Sequence, residues 1–505
     1  MDHFIFQAIA EVFALDLLLL IVLGTICGII AGSIPGFTVT MGVVLAFPFT
    51  FAMDATGGLA LMISICVGGY AGGMISGIML GIPGTPSSIA TVFDGHPMAQ
   101  RGEPGRALGI AIWSSFLGTI FSVGVLVAVA PLIARFSLNF GPWEITALVV
   151  FAITLVGSLS SGAMLKGCIA GAVGLLIATT GISPGGQVRF NFGFEELSSG
   201  VSLLPVLIGV FAFSQLMEAI EPKKIDQDGA SEIRKRAALD TRIEIPYMQI
   251  FSDLRKNKLN LLRSSMIGSF IGAIPAVGGT AANFVSYDQA KKFSKNPSSF
   301  GKGDPAGIIS TESSNSALIG GALIPTLTLG IPGSLTMAIM YGVFILHGLN
   351  PGPRLFVDQP VLIGSIYVSI IVAGFVMLIS MLLLMRLFAR ISRIPIDVLM
   401  PLVLMLASVG AYALNSSMLD VWTLLVFGIA GYLFVKAGVP LAPLILGVVL
   451  GPSLEVNLFR ALQLDPNVLT FFTRPISATL LFISAASIVL AAWQGTRKVR
   501  TANAE

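Results

Sequence analysis

The sequence predicts an all-α polytopic membrane protein with about 10–12 transmembrane helices plus re-entrant or broken-helix segments, written as two repeats. Three observations lead there: composition, the spacing of charge, and internal repetition. Of 505 residues, 55% are hydrophobic and 11% charged, and the mean hydropathy is +0.90. Soluble proteins carry charge on roughly a quarter of their residues, so a string of soluble domains is excluded. The cysteines Cys27, Cys66 and Cys168 sit in apolar runs and offer neither a disulfide framework nor a metal knuckle. The net charge of +3 is small and dispersed, which argues against a nucleic-acid partner.

Twelve long intervals contain no Asp, Glu, Lys or Arg. Most are one helix long, because about 20 apolar residues cross a bilayer. Residues 17–53, 55–93 and 313–353 are about twice that length, and each holds Pro beside Gly. These read as helices broken in mid-membrane. Residues 264–287, interrupted at Pro275 and Gly278-Gly279, read as a re-entrant hairpin, tolerable only where protein or a cavity covers the open backbone. The first apolar run lacks a basic leader, so no cleavable signal is expected. Between Glu218 and Arg263 lie 18 of the 55 charges, ten of them basic, including Arg234-Lys235-Arg236. Short positive loops stay in the cytoplasm. Residues 221–263 therefore form a solvated cytoplasmic connector, and the tail Arg497-Lys498-Val499-Arg500 belongs on the same side.

The chain repeats itself. Gly28-Ile-Ile-Ala-Gly32-Ser-Ile-Pro35-Gly36 returns as Gly268-Ser-Phe-Ile-Gly272-Ala-Ile-Pro275-Ala276. Leu80-Gly-Ile-Pro83-Gly84 returns as Leu329-Gly-Ile-Pro332-Gly333, and Ala134-Arg-Phe-Ser137 as Ala389-Arg-Ile-Ser392. The offsets of 240, 249 and 255 residues keep the order. The first membrane repeat is thus 1–220 and the second 264–505. The loop with Lys291, Lys292, Lys295 and Lys302 answers one holding only Asp54, which favours inverted topology.

The breaks at Pro35, Pro83, Pro275 and Pro332 are the candidate hinges. A half-helix that starts after a break presents free N–H groups and the positive end of its dipole. In broken-helix carriers such ends face anionic substrate. The residues that follow are small, hydroxylated or amide-bearing: Gly36, Thr38 and Thr40; Gly84, Thr85, Ser87 and Ser88; Gly278, Gly279, Thr280 and Asn283; Gly333, Ser334 and Thr336. They hydrogen-bond a carboxylate without a buried cation, and phosphate or sulfonate would suit them too. Ladders such as Gly24-Gly28-Gly32 and Gly69-Gly73-Gly77-Gly81 read as close helix packing. Asp94, Glu312 and Asn315 are candidates for ion coupling, with any sodium ligands otherwise unknown. For the polar run Ser310–Ser316 the alternative is a solvated helix start. Phe93-Asp94-Gly95-His96-Pro97 reads as a loop turn, with gating or proton handling as its alternative. No zinc-protease, nucleophile-elbow or P-loop signature appears, so the chain is not expected to be an enzyme.

Ala31-Gly-Ser-Ile-Pro-Gly36, the run Gly68-Gly-Tyr-Ala-Gly-Gly-Met-Ile-Ser-Gly-Ile-Met-Leu-Gly-Ile-Pro-Gly-Thr-Pro86, Phe93–Pro97 and Gly272-Ala-Ile-Pro-Ala-Val-Gly-Gly279 resemble the large membrane subunit of the tripartite tricarboxylate transporters. The likeness covers essentially the whole chain. Many relatives read Ile-Pro-Gly where this chain has Ile274-Pro275-Ala276. The resemblance implies a multi-pass protein of the bacterial inner membrane. It implies a small four-helix membrane subunit and a periplasmic solute-binding protein as partners. It further implies uptake of a di- or tricarboxylate such as citrate, driven by Na+ or H+ with no other cofactor. Elevator-like alternating access suits the hairpins, and an anion or solute channel is the alternative.

Overall fold

The computed structural model describes residues 2–159, 164–214, 217, 244–275, 277–391 and 396–502. They are almost wholly helical. In chain order the helices are α1 (Asp2–Val12), α2 (Leu15–Ser33), α3 (Val39–Ala46), α4 (Ala55–Leu80), α5 (Ile89–Gln100), α6 (Pro104–Ser137), α7 (Pro142–Leu159), α8 (Met164–Ala178) and α9 (Leu203–Ile208). There follow α10 (Tyr247–Lys256), α11 (Lys258–Gly272), α12 (Gly278–Lys292), α13 (Pro305–Leu329), α14 (Leu335–Leu346), α15 (Leu355–Asp358) and α16 (Pro360–Ile391). The last are α17 (Ile396–Asn415), α18 (Met418–Lys436), α19 (Leu441–Leu464), α20 (Thr470–Thr473) and α21 (Pro475–Ala502), which includes the basic tail. A two-residue hairpin ladder, β1 (Gly181–Ile182) against β2 (Val188–Arg189), is the extended structure among the described residues.

Among the described residues, six helices are long and apolar enough to cross a membrane: α2, α4, α6, α16, α18 and α19. Shorter apolar helices, including α7, α8 and α14, supply further membrane-embedded length. The protein is an all-α polytopic membrane protein. Proline starts many of these helices: α6, α7, α13, α16 and α21 each begin on one, where the missing N–H costs nothing.

Two compact units result. One comprises Met1–Ala134 and Leu216–Gly410, the other Arg135–Gln215 and Ala411–Glu505. This division differs from the repeat halves, because each unit draws on both. In the second unit, glycines bring α8 and α19 together. A Cβ on Gly174 would run into the Leu444 carbonyl, and one on Gly447 into the Gly171 carbonyl. Charged pairs brace the unit: Arg474 meets Glu144 at 3.1 Å and stacks 4.0 Å from the Trp143 ring, and Arg189 pairs with Glu455.

The first unit contains all four breaks. Helix α2 stops at Ser33 and α3 starts at Val39, with the Thr38 hydroxyl accepting from the Met41 N–H at 3.2 Å. Helix α4 stops at Leu80 and α13 at Leu329, each capped by a left-handed glycine, Gly81 (φ 71°) and Gly330 (φ 68°). Helix α11 stops at Gly272 and α12 starts at Gly278. Ala276 lies outside the described residues.

Helices α4 and α13 are wholly enclosed, buried from Gly57 to Leu80 and from Gly307 to Thr328. What encloses them is nearly the same contact twice. A Cβ on Gly28 of α2 would enter the Ile65 carbonyl of α4; one on Gly268 of α11 would enter the Ser314 carbonyl of α13. Gly32 lies likewise on the Gly69 carbonyl, and Gly272 on that of Leu318, at 2.7 Å. Residues 28, 32, 65 and 69 shift by 240 or 249 to give 268, 272, 314 and 318, so the duplication extends to backbone contacts.

The C-terminal part of the charged connector is helical. Residues 218–243, with the Arg234–Arg236 cluster, lie outside the described residues, but from Glu244 the chain is packed on the first unit. Ile250 is fully buried against Gly109, and Arg106 grips Asp253 with its Nε at 2.9 Å and Nη2 at 2.8 Å. Asn260 donates to the Ala306 carbonyl at 2.9 Å. The expected solvated linker is here an amphipathic helix, because Ile250 and Leu254 form one buried face of α10.

Valine at Gly28 or Gly268 should lower stability by about 1–3 kcal/mol, since a backbone carbonyl blocks the new side chain. Alanine at Gly124, where nothing lies within 4 Å, should leave stability unchanged or improve it. Thermal unfolding of the purified protein checks both.

Candidate functional site

The first turns of the new half-helices meet in pairs, and each pair takes one member from each repeat. At one pair, Thr40 Oγ1 of α3 lies 3.3 Å from Thr336 Oγ1 of α14. Ser334 caps α14 by accepting from the Met337 N–H at 3.2 Å, and the Tyr70 phenol of α4 interacts with Ser334 and Thr336. At the other pair, the first turn of α12 sits on the short 3-10 turn Pro86–Ser88 that leads into α5. Asn283 Nδ2 donates to the Ser87 carbonyl at 2.6 Å, and a Cβ on Gly279 would lie 2.9 Å from that of Ser87. Positions 40 and 336 correspond by the repeat offsets to 280 and 87, so the second meeting is the first with the halves exchanged.

Glycine keeps these turns tight. Gly36 (φ 87°) turns the first break and Gly278 (φ 79°) begins α12; an L side chain would be strained at either. Gly84 N–H donates to the Gly73 carbonyl at 3.3 Å, and a Cβ on Gly84 would enter the Gly32 carbonyl. Gly333 N–H donates to Thr326 Oγ1 at 3.2 Å beside the Ala322 carbonyl. The Thr85 hydroxyl interacts with those of Ser87 at 3.1 Å and Ser88 at 2.8 Å. Thr280 is half-buried in the first turn of α12.

Ser310–Ser316 is not a solvated helix start. Asp304 already caps α13 by accepting from the Ala306 N–H at 2.8 Å, so the polar run lies in the second and third turns and is buried throughout. Ser310, Thr311 and Ser313 return their hydroxyls to carbonyls three or four residues back, and Ser316 pairs with Ser115. Glu312 receives the Thr91 hydroxyl on Oε1 at 2.5 Å, and Asn315 Nδ2 donates to the Tyr70 carbonyl at 3.0 Å.

Phe93–Pro97 is likewise helical, inside α5, rather than a loop turn. Asp94 and His96 hold it there. Asp94 Oδ1 accepts from the N–H groups of Gly301 (2.9 Å), Gly303 (2.8 Å) and Asp304 (2.8 Å), while Oδ2 accepts from the Tyr287 hydroxyl at 2.8 Å. Gly301 and Gly303 are left-handed, with φ of 81° and 91°, which turns successive N–H groups onto one oxygen. The carboxyl spends its acceptor capacity on donors, so its visible role is to pin the 301–304 loop to α5. His96 Nδ1 meets the Ile78 carbonyl at 3.0 Å and Nε2 meets Gln100 at 3.0 Å.

The site that emerges is uncharged at its helix ends and carries one buried glutamate beside them. The TctA profile, described as the tripartite tricarboxylate transporter TctA family, matches residues 18–446. The chain belongs to that family. An uncharacterised 52.8 kDa protein from Agrobacterium vitis, from the TAR-I ttuC' 3' region, is 33% identical over 482 residues, covering 94% of this chain and 93% of the relative. A second uncharacterised A. vitis protein, from the TAR-II ttuC' 3' region, is 39% identical over 234 residues, 46% of this chain and 97% of the relative. No solved structure matches the chain. Within this TctA-family protein, residue pattern alone did not single out Tyr70, Thr91 and Tyr287. Tyr70 carried a signal, being the one ring in the small-residue run Gly68–Gly73.

Replacing Asp94 by alanine should strand three backbone donors at about 1–3 kcal/mol each. Amide hydrogen exchange at Gly301, Gly303 and Asp304 should accelerate relative to the rest of the protein.

Proposed function

We propose that the protein is the large permease subunit of a binding-protein-dependent tripartite transporter. It takes up a di- or tricarboxylate such as citrate across the bacterial inner membrane, driven by an ion gradient. Family membership supports the transporter class, and the site supports the substrate class. The observation that carries the reading is the paired meeting of half-helix N-termini from opposite repeats, lined by Thr40, Thr336, Ser334, Ser87 and Asn283. Helix N-termini attract anions through unpaired N–H groups and aligned peptide dipoles. Two such pairs, with hydroxyl and amide donors and no buried Lys or Arg named among them, suit a substrate bearing several carboxylates. It can be held without the cost of a fixed buried cation.

Alternating access is proposed to be elevator-like, with the repeats inverted. In support, all four breaks fall within one compact unit, as expected of a unit that carries substrate. The Lys-rich loop after α12 and the lone Asp54 before α4 fit opposite faces of the membrane. The small membrane subunit and the solute-binding protein are the expected partners, and Na+ or H+ is the expected coupling ion.

Reconstitution with both partners in proteoliposomes, under imposed sodium or proton gradients, tests the reading. Labelled citrate and other di- and tricarboxylates should enter only with the binding protein present, and uptake that persists at full rate without it would overturn the tripartite role. Valine at Gly84 or Gly333 should abolish uptake while leaving the protein in the membrane, because each position is walled by backbone. Alanine at Thr336 should raise the half-saturating concentration roughly tenfold, the worth of one good hydrogen bond to a charged group. Cysteines placed at 54 and 295 in a background without the native ones should label from opposite sides.

A further inference from the structure

Three buried oxygens beside the paired helix ends have no hydrogen-bond donor: Glu312 Oε2, Asn315 Oδ1 and Asn283 Oδ1. Their residues are each 0% exposed. The amide orientations follow from their neighbours. Asn315 Nδ2 gives one of its two N–H groups to the Tyr70 carbonyl, and Asn283 Nδ2 one of its two to the Ser87 carbonyl. Flipping either amide would set oxygen against oxygen, so both Oδ1 atoms are left as bare acceptors.

The three belong to one neighbourhood. Glu312 and Asn315 are three residues apart on α13 and share a face. Gly279 and Asn283 are four apart on α12 and share another. The faces meet at Gly279, whose missing Cβ would lie 3.5 Å from Asn315 Oδ1 and 3.7 Å from Ser87 Oγ. A buried acceptor without a donor costs about 1–3 kcal/mol, and neighbouring ones gain from a shared ligand that supplies positive charge. A proton on Glu312 would supply one donor and leave acceptors over. A divalent cation would leave a net positive charge against a single carboxylate. A small monovalent cation balances the charge and takes all three oxygens as ligands. The repeat equivalents of Glu312, Asn315 and Asn283 are Ile63, Cys66 and Val43, so the set occurs once per chain.

We infer that Glu312, Asn315 and Asn283 hold a small monovalent cation of sodium size in the first unit. That this cation is the one coupled to uptake rests on the transport reading above; that it binds does not. Tyr70 ties the two ends of the site together, since its carbonyl is held by Asn315 and its phenol interacts with Ser334 and Thr336. Cation loading therefore bears on the helix ends where the carboxylate is received.

The test uses the purified full chain in detergent, without partners or substrate, and follows thermal unfolding as NaCl replaces choline chloride at constant ionic strength. Sodium should raise the midpoint saturably by roughly 2 °C or more. The rise should vanish in Glu312→Gln and in Asn315→Ala and shrink in Asn283→Ala, each judged against its own midpoint in choline. Asn315→Ala carries the test should Glu312→Gln fail to fold. Equal midpoints in sodium and choline would overturn the inference. So would a sodium shift that survives in both Glu312→Gln and Asn315→Ala. Stabilisation that follows pH in choline and ignores sodium would overturn it too, and would make Glu312 a proton carrier. A retained sodium shift with no carboxylate uptake in reconstituted vesicles would overturn the transport reading alone.

Discussion

Backbone pressed on backbone is the constraint from which the rest of the first unit follows. Where Gly28 meets the Ile65 carbonyl and Gly268 meets the Ser314 carbonyl, no side chain separates the helices. In lipid, tails are as apolar as leucine, so helices gain little from hiding apolar surface and much from close van der Waals contact. That contact seats α2 on α4 and α11 on α13, and α5, α6, α12 and α16 add the rest of their cover. Complete cover is in turn what permits open backbone at the four breaks, because unpaired peptide groups cannot face hydrocarbon.

The breaks then organise the chemistry. Each ends one helix and starts another, and the starts face each other across the repeats: Thr40 with Thr336, and Gly279 with Ser87. A dipole end is a partial charge that needs no counter-ion of its own, whereas a buried lysine would cost several kcal/mol to desolvate. The same geometry separates two chemistries. Hydroxyls gather between α3 and α14, while amide and carboxylate oxygens gather between α12 and α13, with Tyr70 in contact with both.

The fold class, the four breaks and the duplication were legible in sequence because each has a local signature. Missing charge marks membrane segments, and Ile-Pro-Gly marks a stop. Long-range partners had no such signature. Asp94 read as part of a loop turn or as an ion-coupling candidate, and only the fold shows Gly301, Gly303 and Asp304 wrapped around it from 207 or more residues away. Ser310–Ser316 resembled a helix start because serine and asparagine favour caps. The true cap is Asp304, and the run is buried in the protein rather than solvated. The compact units were hidden for the same reason, since contacts that exchange between halves leave no boundary in composition.

That exchange constrains ancestry. A polypeptide of one repeat's length would carry two helix starts that do not face each other in this arrangement, since the start that each one meets lies in the other half. Such a chain would have had to find a second copy of itself before Thr40 had a Thr336 or Ser87 a Gly279 to meet. Fusion made the encounter intramolecular and freed the copies to diverge. Position 63 is isoleucine where its twin, 312, is glutamate.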